Sequence, residues 1–386
     1  MDDMWLRYKS ISVFAKTARA VAPLAELSVC SDAARRAELA SEVFRAVAEC
    51  GCDSTGEWMR TLMLTDDNVF SRAAASGERI SDRIKAQVRA ELLTFKQLSL
   101  IRPDDFASED TVAFFPKFGF GGFSVAYDRL VAFYAANGCG KLASGNAFVC
   151  RDGTLLSAGN NDARLSDLKD YEEEKAEIVR NTENFIAGLP AFHTLLYGDR
   201  GTGKSTTVRA IAHEYRDKLK VIEIARGELK RLPALQSELT GLKQKFILFI
   251  DDLSFDENDG DADGFKTALE GSLDAPTRNT LLYCTSNRRH LYKETDKTGM
   301  RHKSDEVQAE LALFDRFGLV ITYINPDRER FVDILKQILR SRGIKWRDEY
   351  SAVAELAALK KGGRTPRAAK QIADLIESTY AENRGE

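Results

Sequence analysis

Gly198-Asp199-Arg200-Gly201-Thr202-Gly203-Lys204-Ser205 matches the pattern G-x-x-x-x-G-K-[ST] at every constrained position, and its flanks decide the fold. His193-Thr194-Leu195-Leu196-Tyr197 ahead of it reads as a short buried strand. Thr206 to Tyr215 behind it places Val208, Ile211, Ala212 and Tyr215 on one helical face. A glycine-rich turn between strand and helix presents backbone N–H groups and the positive end of the helix to phosphate oxygens. In that frame Lys204 reaches the β- and γ-phosphates and Ser205 offers its hydroxyl to Mg²⁺. Gly198, Asp199, Arg200, Gly201, Thr202, Gly203 and Thr206 complete the cradle. The stretch implies a nucleoside-triphosphate site; a purely structural glycine turn is the alternative.

Outward from this loop the pattern alternates. From Leu165 onward, strand candidates at 193–197, 220–224, 246–250, 280–285 and 319–324 are separated by helical segments, which predicts an α/β fold with a five-stranded parallel sheet. The run Phe246-Ile247-Leu248-Phe249-Ile250 is apolar throughout, as expected of a strand buried on both faces. After Asn325 the chain reads as helical, with Pro326 at a first helical position and Phe331, Ile334, Leu335, Ile338 and Leu339 on one face.

Residues 1–135 read as a mainly helical N-terminal domain. Leu39, Val43, Ala46 and Val47 make one apolar face, and Ile84, Val88, Leu92 and Phe95 another. The phenylalanine-rich stretch 114–123 is expected to pack under an irregular connection, with partner docking as the alternative. Residues 136–164 read as a linker holding a short hairpin, Phe148–Arg151 and Thr154–Leu156 around Asp152-Gly153. The expected division is therefore 1–135, 136–164, an α/β nucleotide-binding region at 165–325 and a helical lid at 326–386.

Five further positions fit triphosphate chemistry. Asp251 and Asp252 follow the apolar strand 246–250, at the carboxyl end where ligands of open α/β sheets lie. There Asp251 suits Mg²⁺ and Asp252 suits orientation of an attacking water; a polar turn is the plain alternative. Asn287 follows the next strand and has a donor and an acceptor in one planar group. Arg316, set in Phe314-Asp315-Arg316-Phe317-Gly318, has the aromatic mounting that an arginine reaching a neighbour's phosphate needs; a salt bridge to Asp315 is the alternative. Arg367 falls in the first turn of a helix opened by Thr365 and Pro366. A cation there is disfavoured by up to about 1 kcal/mol unless an anion is near, and a γ-phosphate supplies one.

Taken together these motifs resemble an AAA+ ATPase, with Walker A at 198–205, Walker B at 246–252, sensor 1 at Asn287, an arginine finger at Arg316 and sensor 2 at Arg367. Thr365-Pro366-Arg367-Ala368-Ala369-Lys370 is similar to the sensor-2 helix of Holliday-junction branch-migration motors. Leu168–Glu172, Tyr197–Ser205, Asp251–Phe255 and Thr285–Leu291 resemble, in the same order, a bacterial AAA+ family of unknown function over roughly residues 110 to 380. The resemblance implies an AAA+ P-loop core, ATP and Mg²⁺ as ligands, and an ATPase that forms a homo-oligomer and acts on a protein or nucleic-acid partner. Two departures stand out. Asp252 occupies a position usually held by Glu, which implies slow turnover. Asp170 occupies a usual Gly position near the expected adenine pocket.

Composition narrows the alternatives. Lys+Arg at 56 against Asp+Glu at 59 gives a net charge of −3, so no global positive field argues for nucleic-acid or membrane binding. Six scattered cysteines and four histidines argue against a disulfide framework or a zinc site, no apolar run is long enough for a membrane span, and the acidic start is unlike a signal peptide. A cytoplasmic protein is expected. The segment from Ala225 to Gly241 has no aromatic residue, unlike the aromatic-hydrophobic-Gly loop that protein unfoldases of the class it resembles carry there, so the resemblance disfavours polypeptide threading; Arg226, Lys230 and Arg231 there either meet phosphate backbones or form a solvated face. Asp259 to Glu270 also fits a twelve-residue calcium loop, with a solvated acidic loop leading into a helix at 264–270 as the competing reading. Beside the ATPase stand a nucleotide-dependent adaptor with little turnover and, less well fitted to the lid helix, a small-molecule kinase.

Overall fold

The computed structural model describes residues 2–107, 115–159, 162–225, 227–254, 261–270, 279–287, 314–360 and 363–382. Two compact units emerge: residues 1–145 with 241–244, and residues 146–240 with 245–386.

The first unit is helical: α1 (Asp2–Lys9), α2 (Ala15–Ala20), α3 (Ala22–Leu27), α4 (Ala33–Glu49), α5 (Thr55–Leu64), α6 (Val69–Ser76), α7 (Asp82–Ser99) and α8 (Tyr127–Asn137). Side-chain caps set several starts. Asp32, Ser54 and Ser81 accept from backbone N–H groups at the openings of α4, α5 and α7, and Asn68 forms a capping box with Ser71. The apolar faces expected from periodicity meet in one core that includes Leu39, Val43, Val47, Val88, Leu92 and Phe95. Phe115 and Phe123 are buried in the same core and Phe118 packs against it, whereas Phe120 is exposed beneath the Arg102 guanidinium; Phe114 lies outside the described residues. Gly56 lets two backbones touch, since a Cβ there would sit 1.9 Å from the Gly121 carbonyl oxygen. Glu91, 2% exposed, accepts from the backbone N–H groups of Ser12, Val13 and Phe14, a buried polar link between chain segments far apart in sequence.

The second unit is built on strands β1 (Ala147–Arg151), β2 (Thr154–Ser157), β3 (Thr194–Gly198), β4 (Leu219–Ile224), β5 (Lys245–Ile250), β6 (Thr280–Ser286) and β7 (Leu319–Tyr323). Among the described residues they form one sheet in the order β2-β1-β4-β5-β6-β3-β7, parallel except for the β1–β2 pair. The expected five-stranded sheet is thus corrected to seven. The hairpin assigned to a linker extends the sheet, because β1 pairs in parallel with β4 from Ala147 against Val221 to Cys150 against Ile224. Its turn has positive φ at Asp152 and Gly153, which matches the right-handed strand twist. In β5, Phe246 to Ile250 are all buried, and β6 is buried along its whole length.

Helices α9 (Glu172–Ala187), α10 (Lys204–Glu214), α11 (Leu232–Leu239) and α12 (Asp261–Glu270) belong to this unit, as do α13 (Arg328–Ser341), α14 (Glu349–Lys360) and α15 (Pro366–Glu382). The last three share a core of Phe331, Ile334, Leu335, Leu339, Tyr350 and Ile372 among others. Pro326 is not the first residue of α13: Asp327 is its N-cap, its carboxylate accepting from Arg330 N–H. The calcium reading fails on backbone conformation. Asp261–Glu270 is continuous helix, whereas a calcium loop needs irregular backbone to wrap the ion; residues 259 and 260 lie outside the described set. In the 225–241 segment Arg231 lies 3.8 Å from Glu228, and Arg226 is outside the described residues. Among the described residues no helix is long and apolar enough to cross a membrane.

Candidate nucleotide site

The carboxyl ends of β3, β5 and β6 converge on one cavity of about 1010 Å³. The loop after β3 forms its floor, and Gly198 makes that loop possible. Its φ is +128°, and a Cβ would sit 2.0 Å from the Tyr323 carbonyl oxygen at the end of β7. Asp199 is pinned from both sides, its N–H donating to Tyr323 O and its Oδ2 accepting from Asn325 N–H at 2.8 Å. Arg200 through Thr206 line the cavity. Lys204, 4% exposed, donates to the carbonyls of Gly198 and Asp199 at 2.9 and 2.6 Å. Burial pulls its ammonium down to about 8, opposed by the nearby carboxylates of Asp199, Asp252 and Asp251.

The predicted carboxylates stand beside the loop. Ser205 Oγ donates to Asp251 Oδ1 at 2.5 Å, so hydroxyl and carboxylate share one spot. Both are hard oxygen donors, the set Mg²⁺ prefers, so the residues fit that ion. Asp252 has φ +55°, a left-handed conformation in which Asp is better tolerated than most residues. Its N–H donates to Thr285 Oγ1 at 3.0 Å, and its Oδ1 accepts from Asn287 Nδ2 at 2.8 Å. Asp251, Asp252 and Asn287, expected from strand ends alone, therefore line the same cavity as Lys204 and Ser205.

Arg367 arrives from the helical end of the unit. Thr365 caps α15 by accepting from Ala368 N–H at 3.0 Å, and Arg367 N–H donates to Gly201 O at 3.2 Å. This places Arg367 and Lys370 on the cavity wall opposite the strand ends. Arg316 is not among the residues lining this cavity. It sits half-buried in a turn between Phe314, edge-on to Tyr197, and buried Phe317, which packs on Phe265. Arg288, Arg289, His290 and Leu291 of the sequence resemblance lie outside the described residues, as does Phe255.

Several residues here were not singled out from sequence. Thr285 Oγ1 donates to Asp251 Oδ1 at 2.7 Å, and Arg209 Nη2 donates to Asp251 Oδ2 at 2.9 Å. Register reveals the first: β5 and β6 align Ile250 with Cys284, which sets Thr285 beside Asp251. Leu168, Ile334 and Ile338 add an apolar wall. Asp170, the unusual residue of the 168–172 stretch, accepts at Oδ1 from Arg330 Nη2 at 2.8 Å, while its Oδ2 is buried without a partner among the described residues. Tyr171, at φ +64°, donates to Ile324 O at 2.8 Å and fixes this strap against the end of β7.

A family profile described as "Protein of unknown function (DUF815)" matches residues 147–380, the sheet and the helices that close the site. The chain belongs to this family. The DUF815 chain also resembles the Holliday junction branch migration complex subunit RuvB of Prochlorococcus marinus (strain AS9601), at 36% identity over 97 residues, 24% of this chain and 27% of that one. It resembles the replication factor C large subunit of Sulfurisphaera tokodaii at 30% identity over 106 residues, 25% of this chain and 22% of that one. It thus spans about a quarter of the length of each of these relatives. Among solved structures, the Thermotoga maritima RuvB Holliday junction branch migration motor matches at 17% identity and TM-score 0.41, covering 57% of this chain and 66% of that one. The DUF815 chain is of AAA+ type and is similar to Holliday-junction motor subunits, as its motif order implied.

Proposed function

We propose that this protein binds ATP with Mg²⁺ in the cavity between the strand ends and α15, and hydrolyses it to remodel or switch a macromolecular partner, protein or nucleic acid. The observation that carries the reading is the convergence of Lys204, the Ser205–Asp251 pair, the Asp252–Asn287 pair and Arg367 on one cavity. Leu168, Ile334 and Ile338 receive the base, and the backbone from Gly201 to Thr206 receives the phosphates. Lys204 neutralises β- and γ-oxygens. Ser205 and Asp251 hold Mg²⁺, which when bound offsets charge developing on the phosphates. Asp252 orients the attacking water and accepts its proton, and Asn287 fixes the carboxylate that does so. Arg367 senses the γ-phosphate.

Arg316 serves the site of the next protomer, so the active form is a homo-oligomer, and the protein is cytoplasmic. The rigid turn between Phe314 and Phe317 supports that assignment, since a finger acting across an interface needs a fixed base. A second reading, a nucleotide-dependent adaptor with little turnover, is favoured by one observation: Asp252 is a short carboxylate already engaged by Asn287. Molecular mass in solution with ADP and with a non-hydrolysable ATP analogue, combined with steady-state phosphate release, tests the choice. Nucleotide-driven assembly with phosphate release supports the ATPase; a monomer with tight binding and no release supports the adaptor.

A further inference from the structure

Asp251 has both carboxylate oxygens engaged by protein donors. Oδ1 accepts from Ser205 and Thr285 at 2.5 and 2.7 Å, and Oδ2 accepts from Arg209 Nη2 at 2.9 Å. Arg209 projects from α10, one turn beyond Ser205, and nothing in the phosphate-loop pattern requires a cation there. The same Nη2 stands 3.7 Å from Glu223 Oε2 on β4, and the guanidinium lies 5.7 Å from the centre of the Phe249 ring. One arginine is therefore held between two carboxylates, touching one and within a small movement of the other.

A divalent cation brought to Ser205 and Asp251 meets a like charge already on Asp251. Repulsion and competition for Oδ2 both oppose its entry. Moving the guanidinium to Glu223 relieves both without leaving a charge unpaired, and the Phe249 face attracts it in either place. We propose that Arg209 is a positioning residue that sets the divalent-cation affinity of the site by exchanging Asp251 for Glu223 as the cation binds. This rests on the assignment of Ser205 and Asp251 to the metal.

The exchange predicts effects of opposite sign. Without the Arg209 charge the cation meets no guanidinium at Asp251 Oδ2; without the Glu223 charge, the carboxylate 3.7 Å from Arg209 that favours its release from Asp251 is gone. A merely structural role would have both changes weaken binding or leave it alone. The test uses the full chain, Mn²⁺ as the probe and a non-hydrolysable ATP analogue, with bound Mn²⁺ followed by electron paramagnetic resonance and folding checked by thermal melting. Arg209→Gln is expected to bind Mn²⁺ roughly fivefold or more tighter than wild type and Glu223→Gln roughly fivefold or more weaker. Arg209→Lys, which keeps the charge, should stay near wild type. Same-sign shifts, or none, in a wild-type protein that does bind Mn²⁺ with the nucleotide overturn the exchange alone. Absence of Mn²⁺ binding to wild type overturns the metal assignment and the exchange with it. Should Arg209→Gln not fold, an unchanged affinity in Glu223→Gln overturns the exchange.

Discussion

Asn287 Nδ2 donates a 2.8 Å hydrogen bond to Asp252 Oδ1, joining the residue after β6 to the second residue after β5. Asp252 N–H is meanwhile held by Thr285 Oγ1, so β6 fixes both the backbone and the carboxylate of a residue in left-handed conformation. A carboxylate immobilised in this way is prepared to orient a water, and it is also restricted in how far it reaches.

Asp252→Asn preserves the size of the side chain and removes its basicity. The rate of ATP hydrolysis is expected to fall by about 100-fold or more, while ATP affinity is retained. Steady-state phosphate release and titration with a fluorescent nucleotide measure the two separately; an undiminished rate would remove Asp252 from the mechanism.

Lys204 predicts a pH dependence. Burial lowers its folded-state pKa to about 8, so the ammonium is charged below that pH and is lost as pH rises through it. Bound phosphates favour the charged form, so triphosphate binding should take up a proton near pH 8 and weaken between pH 8 and 9. Calorimetry in two buffers of different ionisation enthalpy detects the uptake. Identical heats in both would show that Lys204 is already charged throughout.

Arg316→Ala should suppress turnover in the assembled protein and leave nucleotide affinity nearly intact, because Arg316 is absent from the lining of its own chain's cavity. Mixing it with Lys204→Ala chains supplies intact fingers to intact loops and should restore part of the rate. No recovery on mixing, with full assembly shown by light scattering, argues against a shared site.

Glu91 predicts a stability effect within the helical unit. Glu91→Gln replaces one acceptor facing the N–H groups of Ser12, Val13 and Phe14 with a donor, at a cost of about 2–3 kcal/mol. Thermal unfolding of the variant should show a lowered transition for the helical unit, with nucleotide affinity unchanged. A melting profile identical to wild type would mean the carboxylate contributes nothing net.

Much of the site was legible because its signals are local. The loop 198–205 is one continuous pattern, β5 is a single apolar run, and Thr365-Pro366 announces the start of α15. The 147–157 hairpin was visible as a hairpin but not as sheet, because its partner β4 lies far along the chain. Asp170 was visible as unusual, yet only the fold supplies Arg330 to one of its oxygens and leaves the other buried without a partner among the described residues.

The sequence by itself determined the glycine-rich turn between strand and helix at 198–205, the alternation that makes an α/β sheet and the acids at strand ends. Those follow from backbone geometry and hydrophobic period within a few residues. Only the tertiary structure decided the seven-strand order, the Thr285 and Arg209 grip on Asp251, and the docking of Arg367 N–H on Gly201. Ser205 meets Asp251 across 46 residues and Arg209 meets it across 42. Such pairings depend on strand register and helix packing, set by burial of the whole core rather than by any pattern the chain carries locally.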